Sequence, residues 1–329
     1  MIYLISQLKN SMKNLIRDDL YLISRHSNLN EKTAEELLTK KVFSDDTSWK
    51  QFLKLLFLTL GVGFSVAGII FFFAYNWADL NKFAKLGIVE LLVIATTGIV
   101  LFSKLKLFTK NIILTGASML VGVLYAVFGQ IYQTGANAYD FFLAWTIFIA
   151  LWVLVSNFAP LWLLFIVLIN TTFVLYTNQV AQYWSELNLF SILFVFNASV
   201  LIFFTLLSAS LQKIVIPDWF LKILSIGVVF FATIAFTIGI DRSLNSEFLV
   251  LLAAIILVFG CGLWYGLQKK STFYLAIIPL SIIIMISALL MQISEGEIML
   301  LTVSMFIIIS ISLVIKNIIN LQKKWKNAS

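Results

Sequence analysis

Apolar runs of about twenty residues, broken by short polar punctuation, repeat along the chain from Phe52 onward. A helix needs about 20 apolar residues to cross a hydrocarbon layer at 1.5 Å per residue. The runs near Phe52–Phe73, Phe83–Ser103, Asn111–Ile131, Tyr139–Ser156, Leu161–Tyr176, Leu187–Leu211, Trp219–Gly239, Phe248–Gln268, Thr272–Ile293 and Ile298–Ile315 therefore predict ten spans. The last two are separated by Ser294-Glu295-Gly296-Glu297, which forces an antiparallel turn. Pro279 predicts a kink in the ninth. The alternating segments of about ten residues that a transmembrane β-barrel would show are not seen. The fold class is all-α, a polytopic transmembrane helical bundle of about ten spans.

Ahead of the first span, Met1–Gln51 has nearly balanced charges and reads as two short helices, with Asn30 as N-cap of a run from Glu31 to Lys41. This segment reads as a cytoplasmic cap or as a module that senses a ligand or binds a partner. The expected organisation is residues 1–51 as that segment, 52–177 as a first transmembrane half of five spans, and 178–329 as a second half with a short basic tail. No internal repeat is legible, and no cleavable leader is read at the start.

Composition agrees with the pattern: of 329 residues, 61% are hydrophobic and 12% charged, against near-half apolar usage in soluble domains. The net charge of +7 follows topology and gives no reason to expect nucleic acid. With the N-terminus cytoplasmic, Lys54, Lys104, Lys106, Lys110, Lys213, Lys222, Lys269, Lys270, Lys316, Lys323, Lys324 and Lys326 fall inside, and Lys82, Lys85 and Arg242 outside. That is a strong positive-inside bias, so both termini are expected in the cytoplasm. Trp49, Trp77, Trp184 and Trp219 fall near span ends, as interfacial tryptophans do.

Cys261 and His26 are the sole residues of their kinds, which leaves no disulfide framework and no His or Cys metal spacing. Metal and cofactor are both expected to be none. HExxH, GxSxG, P-loop and GxGxxG signatures are missing, as is a pair of intramembrane aspartates. The chain is read as not an enzyme, an unfamiliar lipid-modifying activity being the one kept open.

Polar residues inside or beside the spans are the candidate chemistry. On the third span, Thr115, Ser118, Gly122, Tyr125, Gly129 and Tyr132 recur every three or four residues and form one small or polar face. Gly61, Ser65 and Gly68 make a shorter stripe on the first span, and Gly87, Glu90, Thr97 and Gly98 one on the second. Such faces pack helices closely or line a hydrated cavity.

After the third span come Gln130, Tyr132, Gln133 and Asn137, then Tyr139, Asp140 and Trp145, the candidates for an outer vestibule. Amides, one carboxylate and aromatic planes would suit a neutral, hydroxyl-bearing or cationic ligand. Asp140 reads equally as the third residue of a helix capped by Asn137. Glu90 lies about 10 Å into its span and is a functional candidate at that depth or a structural, hydrogen-bonded group. Asn170 and Asn197, mid-span, either join helices or bind a ligand.

Ala74-Tyr75-Asn76-Trp77 followed by Leu80 and Lys85, then Gly129-Gln130-Ile131-Tyr132-Gln133, then Phe142, Trp145 and Trp152, and Leu161-Trp162 leading to Asn170, together resemble the bacterial membrane-protein family DUF2157. The resemblance extends from the N-terminal segment to the fifth span. It implies a multi-pass protein of the bacterial inner membrane with a cytoplasmic N-terminal segment, and assigns no activity. It also implies that the turn carrying Tyr75, Asn76, Trp77 and Asp79, and the Gly129–Gln133 segment, matter to the family.

Two functions follow as expectations. One is a small-solute transporter or permease, with Glu90 and the polar face of the third span along its path. The other is a noncatalytic scaffold or sensory protein in which the same residues pack helices or bind a membrane-protein partner. The lipid bilayer is a partner in either case.

Overall fold

The structure, a computed structural model, describes residues 46–132, 135, 137–210, 216–241, 245–293 and 297–327. All ten helices among them are long and apolar enough to cross a membrane. They are α1 (Asp46–Tyr75), α2 (Lys82–Phe102), α3 (Leu107–Tyr132), α4 (Ala138–Ser156), α5 (Ala159–Gln179), α6 (Glu186–Ser210), α7 (Asp218–Asp241), α8 (Ser246–Gln268), α9 (Thr272–Ile293) and α10 (Glu297–Asn327). Each matches one span expected from hydropathy. No strand occurs among the described residues, and this is the form the bilayer requires, because a helix satisfies its backbone polar groups within itself. The expected helices of residues 1–45 lie outside the described residues.

Local sequence sets the joints. Asn81 caps α2 by accepting from the Ala84 N–H at 2.8 Å, and Asn245 caps α8 through the Phe248 N–H at 2.9 Å. Between α4 and α5 the chain turns in two residues, Asn157 taking the left-handed conformation at φ 44°, a conformation asparagine tolerates. Pro160 then falls in the first turn of α5, where its missing N–H costs nothing. Pro279 lies inside α9, which continues past it to Ile293.

Two compact units divide the chain, Met1–Val123 and Leu124–Ser329. In the first, α1 and α3 meet so closely that a Cβ on Gly116 would lie 2.5 Å from Cγ1 of Val62. An apolar groove of about 400 Å³ runs between α1, α2 and α3, with Gly61, Ser65, Leu92, Thr96, Gly116 and Leu120 among its walls.

The second unit has the larger core. α7 packs along α6 and against α9, and α8 and α10 lie on α9. Leu187, Phe194 and Ala198 of α6, Ala232 and Ala235 of α7, Phe248, Leu251 and Phe259 of α8, and Ile278 and Met285 of α9 form one buried cluster. A second cluster joins Ile166 of α5 to Phe204 of α6 and Phe220, Leu221 and Leu224 of α7. Glycine admits the closest approach: a Cβ on Gly239 would collide with the ring of Phe248.

Candidate functional site

Polar side chains within an apolar span carry the chemistry here, because each must be paired, hydrated or shared with another molecule. The sharp turn between α1 and α2 is the first place where they gather. Asn76 closes the end of α1, its Nδ2 donating to the Phe72 carbonyl at 2.9 Å, and the N–H groups of Asp79 and Leu80 return to the Asn76 carbonyl. This arrangement leaves Trp77 beneath the first turn of α2, where the Lys85 ammonium stands 3.8 Å from the ring centroid. Lys85 is only 8% exposed. A cation over an indole face at partial desolvation is worth about 1–2 kcal/mol, so the Trp77–Lys85 contact pins the turn. Tyr75 and Asp79 are exposed beside it.

Glu90 is exposed on α2, eight residues beyond Lys82 and so about 12 Å along the helix. The side of α2 that lines the groove of the first unit carries Leu92 and Thr96. Glu90 is two residues before Leu92, about 200° around the helix from it, and its exposed neighbours are Phe83, Gly87, Leu91 and Ile94. Thr97, seven residues on and thus on the same face, has a buried hydroxyl without a hydrogen-bond partner.

The small and polar face of α3 changes character along its length. Ser118 and Gly122 are buried, Tyr125 is half-buried, and Gly129 and Tyr132 are exposed. Thr115 and Ser118 donate to carbonyls one turn back, at Asn111 and Leu114. Within the second unit Tyr125 sets its ring against Phe141 and Phe148.

Among the vestibule candidates, Gln130 is exposed and the Tyr132 ring lies 4.7 Å from that of Phe128. Gln133 is outside the described residues. Asn137 is the N-cap of α4, and its N–H donates to the Asp140 carboxylate at 3.1 Å, so Asp140 serves the helix end. Tyr139 is drawn to α5: its N–H donates to Oε1 of Gln179 at 3.0 Å, and its ring meets Tyr176 edge-on at 5.4 Å. Trp145 packs its ring against Phe141 and Phe142. Gln179 and Tyr176 escaped the sequence reading because the contact closes over 40 residues, and nothing local marks it.

Asn170 of α5 and Asn197 of α6 find each other. Nδ2 of Asn197 donates to Oδ1 of Asn170 at 2.8 Å, and Nδ2 of Asn170 to Oδ1 of Asn197 at 3.2 Å. Each amide also donates to a carbonyl of its own helix, at Leu193 and Ile166. The pair lies along a groove of about 520 Å³ between α5, α6 and α7 whose remaining walls, Thr171 apart, are apolar.

Two further pairs follow the same pattern. Thr146 of α4 meets Thr172 of α5 at 3.5 Å, and Thr233 of α7 meets Ser281 of α9 at 2.7 Å. Gln292 of α9 adds a bond from Nε2 to the Ile240 carbonyl at 3.1 Å. Among the described residues, four hydroxyls, two asparagine amides and the amides of Gln179 and Gln292 thus join one helix to another. No cluster of His, Cys, Asp and Glu able to hold a metal is present among the described residues.

Ten apolar helices stitched by intramembrane hydrogen bonds define an integral membrane protein of the multi-span helical class. The model of the family described as "Predicted membrane protein (DUF2157)" matches residues 25–162, from the N-terminal segment to the first turn of α5. This is the resemblance read from the Ala74–Trp77, Gly129–Gln133 and Leu161-Trp162 motifs. No curated protein and no solved structure matches the chain.

Proposed function

We propose that the protein is a noncatalytic membrane scaffold whose first unit engages a membrane-protein partner through the face of α2 that carries Gly87, Glu90 and Thr97. The observation that supports this reading most is the exposure of Glu90 deep in an apolar span. A carboxyl group there is costly unless another polar group covers it. A partner helix presenting a lysine, arginine or amide would satisfy it, and the exposed Gly87 would let its backbone approach. Orientation follows the lysine distribution, with both termini on the cytoplasmic side of a bacterial inner membrane. The N-terminal segment then relays occupancy of the α2 face inward.

The test uses the full chain in its own membrane, with Cys261→Ser and Glu90→Cys, beside a second variant carrying a photo-crosslinker at Ile94. A scaffold gives a discrete crosslinked product from position 94, lost in Glu90→Leu, while the thiol introduced by Glu90→Cys resists a membrane-impermeant reagent. Rapid labelling of that thiol with no crosslink would overturn the proposal and favour the small-solute path, since water would then reach that depth. A cysteine at Gln130 is the positive control for outward exposure, and its failure to label would reverse the assigned orientation.

A further inference from the structure

A groove of about 390 Å³ opens in the second unit between α6, α7, α8 and α9, with Ala198, Thr205, Val228, Cys261, Trp264 and Ile278 among its walls. Its rim faces outward: Leu206, Leu257 and Trp264 on it are 60%, 64% and 63% exposed. What enters comes sideways from the hydrocarbon layer.

The groove also has a polar end. Tyr265 and Tyr274 line it with their rings edge-to-face at 5.4 Å. One turn beyond Tyr265, α8 ends at Lys269, whose N–H returns to the Tyr265 carbonyl at 2.9 Å. Lys270 follows in the left-handed conformation at φ 50°, where a glycine would be the cheaper residue. On α7, one turn ahead of the wall residue Ser225, Lys222 pairs with Asp218 at 2.6 Å and lies over the Phe273 ring at 5.9 Å. In the segments that build this end, 205–210, 216–225 and 261–278, the charged residues are Asp218, Lys222, Lys269 and Lys270. The balance is positive.

Lengths agree with one leaflet. From Leu257 to Lys269 the helix rises about 18 Å, against about 15 Å for half of a 30 Å hydrocarbon core. The lysines therefore stand at headgroup level when the apolar walls stand at acyl level. Lysine distribution assigns this end to the cytoplasmic side, where anionic lipid attracts basic residues next to the membrane.

We propose that this groove is a binding site for an anionic phospholipid of that leaflet, one acyl chain lying along Thr205, Cys261 and Trp264 and the phosphate held by Lys222, Lys269 and Lys270. A soluble solute does not fit the sideways, hydrocarbon-facing opening, and a zwitterionic lipid leaves the positive balance uncompensated. The site is independent of the α2 face and stands or falls separately from it.

Native mass spectrometry of the full chain in detergent, titrated with phosphatidylglycerol or phosphatidylcholine of identical acyl chains, tests the site. The wild type retains phosphatidylglycerol over phosphatidylcholine by at least about five-fold, the factor a single lysine near an anionic headgroup provides. Lys222→Gln, Lys269→Gln and Lys270→Gln together abolish the preference. Lys316→Gln, Lys323→Gln and Lys324→Gln on α10 leave it intact. Ala209→Trp, which fills the exposed groove wall while keeping all three lysines, lowers retention of both lipids. Equal retention by the wild type, a preference that survives the first triple variant, or one lost equally in the α10 control overturns the proposal. If the first triple variant does not fold, Ala209→Trp decides, and unchanged retention of phosphatidylglycerol rejects the site.

Discussion

In the first unit, Ser65, Thr96, Thr115 and Ser118 each return a hydroxyl to a carbonyl one turn back on the same helix. In the second, Thr146 and Thr233 make that same local bond and also reach a neighbouring helix, at Thr172 and Ser281, and the Asn170–Asn197 amides pair across a helix contact. The first unit keeps two buried hydroxyls, of Thr97 and Ser103, without partners, and an exposed mid-span carboxyl, Glu90. Some polar groups of the second unit, though not Thr177 or Ser199, whose hydroxyls stay on their own helices, join one helix to the next, whereas on α2 the Glu90 carboxyl stays open to another molecule.

Substitutions in the two units test this contrast, and thermal unfolding of the detergent-solubilised chain ranks them. The largest loss is expected for Gly239→Ala, whose methyl would overlap the buried Phe248 ring. Such overpacking costs about 2–3 kcal/mol, and a melting temperature equal to wild type would show that α7 and α8 are less tightly apposed than described. Asn197→Leu comes next: it leaves the Asn170 amide without its cross-helix partner and costs about 1–2 kcal/mol. Adding Asn170→Leu should recover part of that loss. A double variant no better than the single one would mean the two amides do not act as a pair.

Thr233→Val removes one interhelical bond to Ser281 while keeping shape, so about 0.6 kcal/mol is expected, near the average for such bonds in membranes. Thr97→Val sits at the bottom of the scale. Removing an unpartnered buried hydroxyl should leave the isolated chain unchanged or slightly more stable, and should leave crosslinking from position 94 on α2 as it is in the wild type. Destabilisation of the isolated chain by Thr97→Val would show that its hydroxyl has a partner within the protein, and the contrast between the units would narrow.

Hydropathy carried the existence and order of all ten helices, and in Thr272–Ile293 the same bounds. Yet α1 begins six residues before Phe52 and α10 runs twelve beyond Ile315, because polar and charged residues continue a helix past the apolar run that predicts it. Capping was legible too: Asn137 and Asp140 stand in their expected places because a cap depends on residues three apart. The partners of Tyr139, Asn170 and Thr233 were not legible. Those contacts close over 40, 27 and 48 residues, and a mid-span asparagine looks the same in sequence whether it meets an amide, a ligand or lipid. The groove beside Tyr265 and Tyr274 was equally hidden, since its walls come from four helices.

Hydropathy alone is thus enough to show that this chain is an array of ten membrane helices and roughly where each lies along it. A bilayer offers the backbone no hydrogen bonds, so any apolar run of sufficient length must satisfy itself as a helix, whatever surrounds it. It took the packed helices to reveal that Asn170 and Asn197 face each other and that the Leu92 side of α2, not the Glu90 side, turns to the groove. Lipid and protein are about equally apolar to a leucine, so hydrophobicity does not choose which helix faces meet. Close packing at residues such as Gly116 and Gly239, and the few hydrogen bonds between spans, make that choice.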